Sequence, residues 1–214
     1  MYSNYKLSTY YSVNNYLNLC YNYLNNKEII LIMERCKWVN LKNKKYVDYH
    51  DNEWCHKHTD DHYLLEFLIL ESLQAGLSFE CILNKREYIR EALDDYDINK
   101  IINYDDNKVN ELLNNKNIIR HKSKILAIIN NTKIFNNLSN QYHGFINYLY
   151  SFTGTSTIYE YNKTTSDLSK KISKDLQSKG MKYVGETIIY SYLQSIGIIN
   201  SHDENCYLYK IEKE

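Results

Sequence analysis

The chain has 214 residues, 26 basic and 26 acidic, so its formal net charge is zero. That length suits one globular domain with room for an appendage, and a 43% hydrophobic fraction is enough for a real core. The charge balance excludes a protein that holds nucleic acid by overall positive charge, so any such affinity needs a local patch. No apolar run approaches bilayer length, and no membrane partner is expected.

Proline is absent and tyrosine numbers 23. With abundant Asn, Lys and Ile, this follows from AT-rich codons and carries no functional weight. The five cysteines, Cys20, Cys36, Cys55, Cys81 and Cys206, are odd in number and sparse. They fit reduced thiols or metal ligation better than a secreted disulfide framework.

In chain order, residues 1–32 form a Tyr/Asn-rich extension with no acidic residue before Glu28, and poor order is expected for it. It lacks the arginines of a transit peptide and the compact apolar core of a signal peptide. Met33 offers an alternative start, and 33–214 is the expected domain. Thr59-Asp60-Asp61 supplies cap chemistry for a helix over about 62–75. Leu64, Phe67, Leu68, Glu71 and Ala75 share one face of it, and Gly76 stops it. A second helix fits 78–93, and Val109, Leu112 and Leu113 suggest another. Ser123 is a candidate cap for a helix over 124–131, with Ile125, Ile128 and Ile129 on its apolar side. Residues 167–179 are helical and end at Gly180. The last helix spans about 185–196, with Ile188, Ile189, Tyr192, Leu193 and Ile196 inward and Gly197 as its stop. No strand pattern stands out, and the fold class is all-α.

Two groups of residues carry chemistry. Cys36 and His50 lie early in the domain, and His202-x3-Cys206 lies at its end. Zinc favours such Cys/His sets, and one pair from each end would tie the termini together; spacing alone leaves unrelated residues as the alternative. Cys55-His56-Lys57-His58 also offers ligands, but an exposed polar loop explains it. Glu71 is the second feature. A carboxylate on an apolar helix face is costly unless it is paired, hydrogen-bonded to backbone, or matched to a ligand. The Leu73–Phe79 segment after it, with a glycine turn and one aromatic ring, suits a pocket rim.

Six segments in order then resemble one family. Met33–Trp38 is similar to MERCxW, Tyr49–Trp54 to YHDNEW, Leu70–Ser78 to LExxQAGLS, and Ile118–His121 to IIRH. Lys182–Gly185 is similar to KFVG, and Asn200, His202 and Cys206 to NxHxxxC. Together they cover about residues 33–207 and resemble the DNA-3-methyladenine glycosylase I family. The resemblance implies a helix-hairpin-helix fold with one structural zinc ion on Cys36, His50, His202 and Cys206. It implies a base pocket of Trp38, Tyr49, Glu71 and Phe79, with Glu71 the catalytic candidate. It implies DNA contacts at Gly76 and Leu77 and at a hairpin carrying Arg120, Lys122 and Lys124.

The implied activity is monofunctional hydrolysis of the glycosidic bond of 3-methyladenine in double-stranded alkylated DNA, with the free base as product. Alternatives are a lesion-binding protein of the same fold without turnover, and a zinc-stapled interaction module. A monomer acting inside the cell is expected, in nucleus, organelle or prokaryotic cytoplasm. Three residues depart from the pattern: Phe79 replaces a tryptophan, Leu73 a frequent glutamine, and Cys55 a glycine. The loop between Cys36 and His50 is also one residue longer.

Overall fold

In the computed structural model, which describes residues 34–210, the chain builds its site around one buried helix. The extension over 1–32 and the start at Met33 lie outside the described residues. A short helix, α1 (Lys44–Asn52), comes first. The central helix, α2 (Asp61–Gln74), begins where the Asp60 carboxylate accepts from the Tyr63 N–H at 2.8 Å. Every residue from Leu64 to Leu73 is buried. The helix is therefore enclosed on all sides rather than along the single face expected from its pattern. Gly76 follows at φ +78, a left-handed turn that a side chain would strain.

Ser78 caps α3 (Phe79–Ala92), accepting from the Cys81 N–H at 3.2 Å. A left-handed turn at Asp94–Tyr96 leads through α4 (Ile98–Ile101) to α5 (Asp106–Asn114). A tight hairpin then enters α6 (Lys122–Tyr142). That helix starts after His121 with no side-chain cap, so Ser123 is not its cap; its hydroxyl instead bonds His121 and Tyr183. It also runs eleven residues past the expected end, because Phe135 and Leu138 prolong its buried side. Helix α7 (Phe145–Thr153), like α1, was not anticipated. It packs back on α6, with Phe145 stacked on Phe135 at 4.1 Å.

A capping box at Ser166 and Ser169 starts α8 (Asp167–Ser178), and α9 (Glu186–Ser195) follows. Ile189, Tyr192, Leu193 and Ile196 are buried as expected, whereas Ile188 is half-buried and Tyr190 takes an inward place. Helix α2 packs against α3, α6, α7 and α9. The described fold is mostly helical. Its one departure from all-α is a parallel pair of two-residue strands, β1 (Ile158–Tyr159) and β2 (Ile199–Asn200).

The end of α9 determines where the site forms. Its carbonyls at Gln194 and Ile196 accept N–H groups of Cys55 and His58, which satisfies groups that a helix end otherwise leaves unpaired. A Cβ on Gly197 would lie 2.2 Å from the His56 oxygen, so only glycine allows this approach. The segment after α1 is thereby bound to the segment that leads into β2.

Candidate base pocket and metal centre

Four buried side chains from opposite ends of the domain converge. Cys36, His50, His202 and Cys206 place one ligand atom each within 4.8 Å of the others. Cys36 Sγ is 3.5 Å from His202 Nδ1, Cys206 Sγ is 3.5 Å from His50 Nε2, and Cys206 Sγ is 3.6 Å from His202 Nδ1. The His50 tautomer follows from its neighbour. Asp51 Oδ1 lies 2.8 Å from Nδ1 and can only accept when ionised, so Nδ1 carries the hydrogen and Nε2 keeps a lone pair. Arg35 clamps Asp51 in turn, at 2.6 and 2.8 Å. Burial lowers the His50 pKa and favours the neutral ring. The backbone N–H groups of Asp203 and Leu208 point at the two sulfurs.

Cys55-His56-Lys57-His58 is not a second centre. Cys55 is buried, and its sulfur accepts from the Ser201 N–H, just before His202. The His58 ring stacks on Tyr63 at 3.6 Å, so this stretch is only partly the exposed loop expected. Cys55 has φ +63, where the family pattern carries glycine. That backbone costs a side chain about 1–2 kcal/mol.

Beside this cluster lies a pocket of about 290 Å³, whose lining includes Ser201 and Asp203 on either side of His202. Trp38 sets its ring edge-on to His50 at 5.4 Å and to Trp54 at 4.8 Å, and is itself 36% exposed at the mouth. Tyr49, from α1, stacks on Phe67 at 5.7 Å and meets Phe79 at 5.1 Å. Trp38, Tyr49, Glu71 and Phe79 all line this space, so the fold brings together all four residues expected there. Tyr46, Trp54, Gln74 and Gln194 line it as well. Two of these were accessible to a closer reading: Trp54 ends the YHDNEW segment, and Gln74 follows Glu71 by one helical turn. Gln194 comes from α9, and nothing near it in the sequence marks it.

Inside the pocket, polar groups are left without protein partners. Glu71 Oε2, the Tyr49 hydroxyl and Gln74 Oε1 are buried and make no hydrogen bond among the described residues. Burial raises the Glu71 carboxyl well above the usual carboxylate range. It also raises the Tyr49 phenol, and the nearby Glu71 charge adds to this. Unpaired buried groups of this kind cost about 1–3 kcal/mol each unless a ligand meets them.

The expected DNA contacts divide. Gly76 and Leu77 form an exposed turn at the end of α2, with Leu77 42% exposed. Arg120 and Lys122 are exposed at the start of α6, where no side chain caps the N–H groups. Lys124 is placed otherwise. It is 7% exposed, and its ammonium donates to the carbonyls of Leu73 at 2.8 Å and Ala75 at 2.6 Å. Its expected role as a surface phosphate contact is corrected to that of a cation capping the end of α2.

Fold and site define a helical domain with an aromatic-lined pocket that holds the buried Glu71 carboxyl, next to a Cys2His2 cluster. The methyladenine glycosylase family model matches residues 38–209. The DNA-3-methyladenine glycosylase 1 of Escherichia coli K12 is 38% identical over 184 residues, covering 83% of this chain and 97% of its own. The Haemophilus influenzae DNA-3-methyladenine glycosylase is 34% identical, covering 80% and 96%. A crystal structure of a 3-methyladenine DNA glycosylase I superposes with a TM-score of 0.78 at 35% identity, over 81% of this chain and 98% of that one. The chain belongs to the methyladenine glycosylase family.

Proposed function

We infer that this protein excises 3-methyladenine from alkylated DNA as a base-excision repair glycosylase. The observation that carries this reading is Glu71: an unpaired carboxyl, 2% exposed, on the wall of an aromatic pocket. Methylation at N3 gives the DNA base a positive charge. Aromatic faces attract that charge by roughly 0.5–2 kcal/mol each. Glu71 complements it and can accept from the exocyclic amine. Normal adenine has no charge to offer and gains less. A structure of a relative, a tyrosine-to-phenylalanine variant, is a complex with 3-methyladenine, at TM-score 0.76 and 28% identity.

The chemistry asks little of the protein beyond binding. The base must first leave the stack, at a cost of a few kcal/mol. When the bond from sugar C1′ to N9 breaks, its electron pair returns to the base. The base becomes neutral, and the positive charge passes to the sugar. Water attacks C1′, loses a proton, and leaves an abasic site. A base that departs neutral needs no acid to push it, so a Tyr49 phenol kept neutral by burial is no handicap. The reading is a monofunctional hydrolysis without a lyase step.

In this reading Leu77 enters the space the base vacates. Arg120, Lys122 and the open start of α6 hold phosphate. Pocket, hairpin turn and metal ligands all come from one chain, which supports action as a monomer. A single zinc ion on Cys36, His50, His202 and Cys206 is part of the proposal. Zinc–sulfur bonds near 2.3 Å and zinc–nitrogen bonds near 2.0–2.1 Å give a tetrahedron with N···S edges of about 3.6 Å. Three of the cluster's four N···S separations are 3.5–3.6 Å, and the fourth lies within 4.8 Å. Held by four protein ligands, the ion would supply a cross-link and charge rather than a reacting water.

Chromatography of bases released from methylated DNA tests the reading. Release of 3-methyladenine supports it. Binding without release would instead favour the non-catalytic lesion binder.

A further inference from the structure

The end of α2 is closed from another helix. Lys124 lies in the first turn of α6, yet its ammonium donates to Leu73 and Ala75 carbonyls on α2. No carboxylate lies within ion-pairing distance of it among the described residues. Its company is instead the negative end of the α2 dipole and the Tyr183 ring, 5.9 Å below the ammonium. Tyr183 is itself held to α6: its hydroxyl bonds Ser123 at 2.8 Å, and Asn131 makes two hydrogen bonds to the Lys182 backbone, at 2.7 and 2.9 Å. The Gly76–Leu77 turn begins one residue after the second capped carbonyl. The hairpin that presents Arg120 and Lys122 ends two residues before Lys124.

We propose that Lys124 is a positioning residue for base extrusion: it fixes the exposed Leu77 turn against the start of α6, so that one rigid corner engages both the stack and the phosphate backbone. It touches neither DNA nor base. It acts through the Leu73 and Ala75 carbonyls, which set where the chain leaves α2 and so where Leu77 stands. Water could cap those carbonyls, but it would not tie them to a second helix. A lysine supplies three donors on one charged atom and a stem long enough to cross the interface. The inference rests on the reading of Leu77 and of the start of α6 as DNA contacts.

The test uses the full chain with Lys124→Met, which keeps length and removes the donors, together with Leu77→Ala and the double variant. Single-turnover excision from duplex DNA should fall about tenfold or more in Lys124→Met, since a 1 Å misplacement can cost on the order of a hundredfold. Affinity for free 3-methyladenine should change by less than about twofold, because Lys124 lies outside the pocket. In the Leu77→Ala background, Lys124→Met should slow excision by less than about twofold more, because both act through the same turn. The salt dependence of DNA binding should keep its slope in Lys124→Met, whereas Lys122→Gln lowers the slope by about one. A slope lowered by about one in Lys124→Met would make it a phosphate contact and overturn the proposal. So would a full additional loss on top of Leu77→Ala. If Leu77→Ala alone excises at the wild-type rate, the reading of the turn fails, and the inference fails with it. Lys124→Gln carries the same cycle should the methionine variant not fold.

Discussion

Glu66 and Glu71 lie five residues apart on one helix and are each 2% exposed, yet their carboxyls are driven in opposite directions. Burial alone would raise both. Glu66 accepts from Arg86 at 2.9 and 3.1 Å and from Arg90 at 2.8 Å, and these bonds hold it below the usual range. Glu71 has nothing to offset burial and stays raised. Five residues turn a helix by about 140°, so the two face different neighbours. One is an arginine cluster, and the other is the pocket.

Replacing the pocket carboxyl should exchange binding for stability. Glu71→Gln weakens binding of free 3-methyladenine by roughly 10- to 100-fold, the worth of a hydrogen bond to a charged group. Unchanged affinity by calorimetry would remove Glu71 from the base site. The same variant is more stable than the parent at neutral and alkaline pH. The folded Glu71 pKa is raised, so its charge is free of penalty below the unfolded value near 4.3 and costs stability as pH rises through the folded value. Thermal melts should show the gap widening as pH rises above the unfolded glutamate value near 4.3.

The opposite case is Arg86. It bonds Glu53 at 2.8 Å and Glu66 at 2.9 Å, and lies 4.8 Å over Phe67, which stacks on Tyr49. Arg86→Met leaves a buried carboxylate short of its main partner and should cost about 3–5 kcal/mol. That corresponds to a Tm loss of about 10 °C for a domain of this size. Because Glu66 is held low, its contribution is present above the unfolded glutamate value near 4.3 and is lost as pH falls through the folded value. The gap between variant and parent therefore narrows in acid, and an equal gap at all pH values would discount the ion pairs.

Phe79 meets Tyr49 at 5.1 Å with planes tilted by 55°. Restoring the larger ring with Phe79→Trp enlarges the face offered to the base. Free 3-methyladenine should then bind about two- to fivefold more tightly, as aromatic stacking energies allow. A weaker complex would mean that the half-buried Phe79 site has no room for the indole.

Chelation should affect the pocket as well as the fold. The proposed zinc joins residues 166 apart in sequence, as with Cys36 and His202. Losing such a cross-link should cost about 3–5 kcal/mol, by analogy with opening a long covalent loop, and lower Tm by about 10 °C. Trp38 and Trp54 pack on His50, so base affinity should fall with the metal. Elemental analysis gives the stoichiometry, expected at about one per chain. A protein that keeps both its Tm and its base affinity after metal removal would defeat the proposal.

Much of this site was legible before the fold. The aromatic and acidic side chains of the pocket sit inside short, distinctive segments, and the turn after α2 shows itself through Gly76. Other features were not. Ser123 has the chemistry of a cap, but Tyr183, sixty residues away, takes part of its hydrogen bonding. Lys124 stands among basic residues and reads as surface charge until the end of α2 is brought beside it. Gln194 enters the pocket only because α9 ends where the Cys55–His58 segment begins to pair with it.

By itself the sequence determined which residues could do the chemistry, where several of the helices begin or stop, and which family pattern they follow. These depend on neighbours within a few turns, and caps, glycines and periodicity record them directly. Only the tertiary structure decided that Glu66 is paired and Glu71 is not, that Lys124 caps a helix rather than facing solvent, and that two cysteines and two histidines from both ends of the domain meet. Burial and pairing depend on contacts between residues distant in the chain, and no local pattern carries that information.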